Sequence, residues 1–143
     1  LYVLWGFNLW FNVTMNRLPL AKIALWLLIG LTAFAFSAAG FLKLFGDEMY
    51  SDSFNAMGLP DVFGDVIGCC EIAGAIGLFI RRLSAVAAAG LASIMVGAVG
   101  YHLHYESLAE AVPAVILLVF SVIIVFARRR DNILYRTDSM DAA

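Results

Sequence analysis

Charge is scarce in this chain. Only 14% of its 143 residues are Asp, Glu, Lys or Arg, while 63% are hydrophobic. Soluble domains carry about a quarter charged residues and are about half apolar, so this balance excludes an ordinary water-soluble globule and indicates a membrane protein. Cysteine is nearly absent. The two that occur, Cys69 and Cys70, are adjacent, so no disulfide framework can be built. Histidine is equally rare, and His102 and His104 stand two positions apart on nearly opposite faces of a helix. They cannot form the i, i+4 pair that a helical metal site uses, so no metal site is expected. Zinc spacings, phosphate loops, nucleotide fingerprints and internal repeats are also missing, and nucleic acid is not an expected partner. A chain of this length is expected to form one compact domain.

What is abundant is long apolar sequence. A membrane helix needs roughly 20 apolar residues to cross about 30 Å of hydrocarbon. Four stretches qualify, at about 22–46, 62–80, 83–105 and 109–127. Together they form a membrane domain over residues 22–127 and predict an all-α, four-helix integral membrane bundle. Arg81 and Arg82 join the second and third spans into a tight antiparallel pair. Pro113 lies near the start of the fourth span, where early helical positions need no internal N–H partner.

The charges orient the bundle. Arg17 and Lys22 precede the first span, Arg81 and Arg82 separate the second and third, and Arg128, Arg129 and Arg130 follow the fourth. All fall on one side of a four-span topology, which the positive-inside rule makes cytoplasmic. Asp47, Glu48, Asp52, Asp61, Glu106 and Glu110 fall on the other. Both termini are therefore expected in the cytoplasm, with the amphipathic loop 47–61 outside. The expected location is the bacterial cytoplasmic (inner) membrane. Residues 1–21 read either as an interfacial segment, with Trp5 and Trp10 at headgroup level, or as partly non-native sequence upstream of a start at Met15. Residues 128–143 read as a basic and then disordered tail.

Ionisable residues inside a span are costly and usually face the bundle interior or water. Glu71 is the clearest case. It lies nine residues into the second span, about 13 Å deep at 1.5 Å per residue. Gly64, Gly68, Gly74 and Ala75 share its face, and such small residues let another helix approach closely. Glu71 is therefore expected to point into the bundle, as a helix clamp or as a proton, quinone or ligand site. Cys69 and Cys70 stand about 160° and 100° around the helix from it, so they do not share its face. They are expected to behave as small, inert hydrophobes. Lys43, basic on the otherwise acidic half, either snorkels to the interface or pairs with Asp65 or Glu71. On the third span, Gly90, Ser93, Gly97 and Gly100 form a small-residue stripe that leads to His104, and Leu91, Met95 and Ala98 lead to His102. Lys43, Asp65, Glu71 and His102 thus share one half of the bundle as candidate ligand-binding residues. Such a set suits protonation-coupled binding of a quinone or another small polar-headed ligand.

The order of these residues carries a resemblance. Phe36–Leu44 reads FSAAGFLKL, Met57–Pro60 reads MGLP, and Gly68–Leu78 reads GCCEIAGAIGL. Arg81-Arg82-Leu83, Met95–Ala98 and His102 follow. As a set, over about residues 25–127, this resembles the DoxX-like membrane proteins. The resemblance implies a four-helix membrane bundle associated with redox chemistry, its founding members being linked to quinone-dependent thiosulfate oxidation and terminal oxidase complexes. It carries over Gly40, Lys43, Gly58, Pro60, Glu71, Gly97 and His102 as recurrent positions. Tyr101 departs from the pattern, as do His104 and the cysteine pair. The function so implied is a DoxX-like protein supporting membrane redox chemistry, with quinone as a candidate ligand in the outer half of the bundle. Whether the chain is itself an enzyme stays open. One rival is a non-catalytic structural or assembly subunit whose Gly64, Gly68, Gly74, Gly90, Ser93 and Gly97 dock helices of a membrane partner or of a second copy. The other is a small-solute transporter, which a narrow four-helix interior with few polar residues suits less well. The lipid bilayer is the partner all three share.

Overall fold

A computed structural model of the chain describes residues 19–45, 54, 58–60 and 62–129. Four helices account for nearly all of these: α1 Pro19–Phe45, α2 Val62–Phe79, α3 Ser84–Tyr105 and α4 Leu108–Arg128. Each is long and apolar enough to cross a membrane. The N-terminal segment before Pro19, most of the loop 47–61 and the tail beyond Arg129 lie outside the described residues.

The bounds have local causes. α1 starts at Pro19, three residues before the first predicted position, because proline's fixed φ suits a first helical turn and its missing N–H is not needed there. α2 ends where the Leu83 and Ser84 N–H groups both donate to the Ile80 carbonyl at 2.8 Å, closing the turn that holds Arg81 and Arg82. The α3–α4 turn is as short. The Glu106 N–H donates to the His102 carbonyl at 3.1 Å, and α4 starts two residues later. Pro113 is the sixth residue of α4, beyond the first turn. Its missing N–H deprives the Ala109 carbonyl of a helical donor, and Ala109 is exposed at the helix end, where water can take that place.

α1 packs chiefly on α2 and α3 on α4, with α2–α3 contacts joining the pairs. The core is built from Ile29, Ala33 and Phe36 of α1, Ala75 and Leu78 of α2, Ala88, Leu91 and Met95 of α3, and Ala114 and Ile124 of α4. The bundle closes at one end through Arg128, whose guanidinium lies 5.1 Å from the Trp26 ring centroid. That contact ties the last turn of α4 to the first half of α1 and lets a buried arginine keep a favourable π-face. Lys22, Arg81 and Arg82 share this arginine end. At the other end, the loop end, Phe54 is buried against Phe63 and roofs Gly64. Gly58 takes a φ of +71°, which glycine adopts without the clash a side chain would bring.

Large apolar side chains cover the outside. Leu27 is 69% exposed, Phe34 74% and Leu108 76%. In water this coat would be a liability; against acyl chains it is the solvated face. Such helices, with every backbone bond internal, satisfy the demand that hydrocarbon places on a spanning segment.

Candidate functional site

α1 and α2 meet at two glycines. A Cβ on Gly40 would stand 2.7 Å from the Gly68 carbonyl oxygen, and a Cβ on Gly68 would stand 2.9 Å from the Gly40 carbonyl oxygen. The two backbones touch, with no room for a side chain between them. Gly40 faces the Cβ of Glu71, and Gly68 faces the Cβ of Lys43. Each ionic residue thus stands opposite a glycine that makes space for it.

Chain direction then aims the side chains. Cα–Cβ bonds tilt toward the N-terminus of their own helix. α1 runs toward the loop end, so Lys43 leans back into the bundle. α2 runs away from the loop end, so Glu71 leans toward it. The two meet: Lys43 Nζ donates to Glu71 Oε1 at 3.0 Å and to Oε2 at 2.8 Å. Glu71 is fully buried, while the Lys43 side chain keeps 14% exposure. A charged pair this deep is costly unless its geometry is close and its acceptors are filled, and both conditions are met.

Glu71 shares its buried face with Gly64, Gly68, Ala75 and Leu78. Cys69 and Cys70 are free thiols on the outward side of α2. Asp65, the other acid considered for Lys43, is exposed in the first turn of α2. Of the four ligand-binding candidates, Lys43 and Glu71 are brought together.

His102 has a different partner. Its Nδ1 pairs with Glu106 Oε2, one helical turn on in the α3–α4 turn. The ring also lies edge-on to Tyr101, with centroids 5.5 Å apart. The His102 hydrogen bond is the main cause that holds the Glu106 carboxyl below its ordinary range. Glu110 completes the group. Its Oε2 accepts the Ser107 N–H at 3.3 Å, which folds the carboxylate back over the turn. The ligand atoms of His102, Glu106 and Glu110 lie within 4.8 Å of one another. The two histidines, compared with each other, do not reveal this set. The signal was the spacing of four between His102, Glu106 and Glu110, which is masked because a helix break falls inside it.

The two stripes of α3 separate cleanly. Leu91 and Met95 are buried, and Ala98 and His102 are partly buried below them. Gly90, Ser93, Gly97, Gly100 and His104 are exposed, and a Cβ on Gly90, Gly97 or Gly100 would meet nothing within 4 Å. Gly74, by contrast, is filled by Leu91, whose Cδ2 would stand 2.7 Å from an added Cβ. Among the described residues, the buried hydroxyls of Thr32, Ser84 and Ser121, which no sequence motif marks, have no hydrogen-bond partner. Thr32 falls on the same face of α1 as Ile29, Ala33 and Phe36, so its burial was legible from that spacing.

Residues 27–124, well over half of the chain, match the model of the DoxX-like family. That stretch includes Gly40, Lys43, Gly68, Glu71 and the whole His102–Glu110 turn. No curated protein matches the chain, and no solved structure does. With four helices able to span a bilayer and a family match across them, the chain is an integral membrane protein that belongs to the DoxX-like family.

Proposed function

We propose that this protein supports membrane redox chemistry by holding a quinone headgroup at the Lys43–Glu71 pair. The observation behind this is the pair itself, a doubly hydrogen-bonded lysine and glutamate buried between two spanning helices. Intramembrane ionisable residues are functional candidates by default, because hydrocarbon penalises them. An ammonium can donate to a quinone carbonyl, and a carboxylate can accept from a quinol hydroxyl or take its proton. Lys43, with its residual exposure, is the member a headgroup reaches first. His102 is left out of this role because its imidazole pairs with Glu106. The positions of Lys22, Arg81, Arg82, Arg128 and Arg129 support a reading with cytoplasmic termini, in which the pair lies in the outer half of a bacterial cytoplasmic membrane.

Native purification with lipid and quinone analysis tests the reading. The wild type should retain quinone. Glu71→Gln removes a charged acceptor, and a hydrogen bond to charge worth about 1.5–3 kcal/mol converts to a roughly ten- to hundredfold loss of retained quinone. Equal quinone content in an intact Glu71→Gln protein would sink the proposal and leave Glu71 as a helix clamp.

A second reading, an assembly subunit, rests on the outward stripe Gly90-Ser93-Gly97-Gly100. Small residues on a lipid-facing side let a further helix approach closely. Gly97→Ile should leave the unfolding free energy of the isolated chain within about 0.5 kcal/mol, because nothing crowds the site. It should also shift the native complex to smaller size on native gels. An unchanged complex removes the stripe from any interface.

A further inference from the structure

We propose that His102, Glu106 and Glu110 form a binding site for a divalent first-row transition ion at the loop end of the bundle. The set is not acidic residues alone. It offers one imidazole nitrogen and two carboxylate oxygens, and the α3–α4 reversal brings all three ligand atoms within 4.8 Å of one another. Zinc lies about 2.0–2.2 Å from nitrogen and oxygen ligands, so two ligands of one ion stand no more than about 4.4 Å apart. The side chains reach that spacing by small rotations.

Charge points the same way. No Lys or Arg occurs between Arg82 and Arg128, so the α3–α4 turn at the loop end has no permanent cation of its own. Two carboxylates are held close together with one imidazole beside them, and a divalent ion neutralises both. Each ligand is already oriented. Tyr101 lies edge-on to the His102 ring and itself stacks on Tyr105, with centroids 5.2 Å apart. Glu110 uses Oε2 on the Ser107 N–H and keeps Oε1 for an ion.

The donor set selects the metal class. It contains no thiolate, which disfavours Cu(I), and its imidazole favours Zn²⁺, Fe²⁺ or Ni²⁺ over the oxygen-preferring ions Mn²⁺, Ca²⁺ and Mg²⁺. Three protein ligands at a part-exposed turn leave a fourth position for water or an anionic group, which separates this site from a closed structural zinc. The site is independent of the Lys43–Glu71 pair, and either can fail alone.

Zn²⁺ titration of the full chain in detergent, followed by calorimetry, tests this directly. One equivalent should bind. Loss of an outer-shell partner typically costs 10–100-fold, so removing a ligand by Glu106→Gln or Glu110→Gln should weaken binding by at least about 100-fold. His104→Ala, two positions from His102 and not a member of the set, should bind as the wild type does. Zn²⁺ should also shield His102, and not His104, from diethyl pyrocarbonate, a readout that uses the unaltered chain and survives misfolding of a variant. No saturable Zn²⁺ binding by the wild type would overturn the proposal. So would equal binding by both glutamine variants, or equal modification of His102 with and without Zn²⁺.

Discussion

Lys43→Met should destabilise the bundle by about 3–5 kcal/mol, the range seen when one partner is removed from a buried ion pair. The reason is asymmetry. Glu71 is fully buried on a face of glycine, alanine and leucine, and both its oxygens accept from Lys43. Without the ammonium, that carboxylate has no route to water, being about 13 Å into its helix. Lys43 is placed differently. It lies in the last turn of α1 and keeps partial exposure, so its flexible stem can carry the ammonium toward the interface if Glu71 is lost. Glu71→Gln should therefore cost less, about 1–3 kcal/mol, with the amide oxygen still accepting from Lys43. Replacing both, as Lys43→Met with Glu71→Met, should return stability close to the wild type, because an apolar pair of similar volume carries no desolvation penalty. Unfolding in mixed detergent micelles, followed by circular dichroism, measures all three. A double variant as unstable as Lys43→Met would show that packing, and not the ion pair, holds α1 to α2 there.

Much of this was legible in the sequence, for particular reasons. The four spans could be counted because hydrocarbon demands uninterrupted apolar length, and nothing else in the chain mimics it. The inward face of Glu71 followed from the 3.6-residue repeat that aligns it with Gly64, Gly68 and Ala75. The outward aim of Cys69 and Cys70 followed from the same rotation. What could not be read was register between helices. Lys43 had two acids within plausible reach, Asp65 and Glu71. The choice depends on how far α1 slides along α2, which the Gly40–Gly68 contact fixes. Neither glycine names the other in sequence. The small residues of α3 looked like those of α2, yet one set meets a neighbouring helix and the other faces outward. Composition cannot separate these, because each small-residue face suits either a helix or lipid.

Gly40→Ala should be the most damaging single-methyl change in the bundle. The added Cβ would stand 2.7 Å from the Gly68 carbonyl oxygen and 2.8 Å from Ile72 Cγ1. The carbonyl belongs to helical backbone and cannot rotate aside, so α1 and α2 must separate. Overpacking of this kind costs about 1–3 kcal/mol, occasionally more. The better helix propensity of alanine returns at most about 1 kcal/mol. Gly74→Ala is the informative contrast. Its new methyl would meet Leu91 Cδ2 at 2.7 Å, equally close, but that is the far end of a side chain that can change rotamer. Gly97→Ala would meet nothing, and should be neutral or slightly stabilising. The predicted order of damage is thus Gly40, then Gly74, then Gly97, set by what each methyl strikes. Separation at Gly40 also lengthens the Lys43–Glu71 contact one turn away, so Gly40→Ala should weaken the ion pair as well as the packing. Lys43→Met added to Gly40→Ala should then cost less than it does alone, with a coupling of about 0.5–3 kcal/mol, the range for residues in contact. Additive free energies in that cycle would mean that the ion pair follows the helices apart and does not depend on the glycine contact.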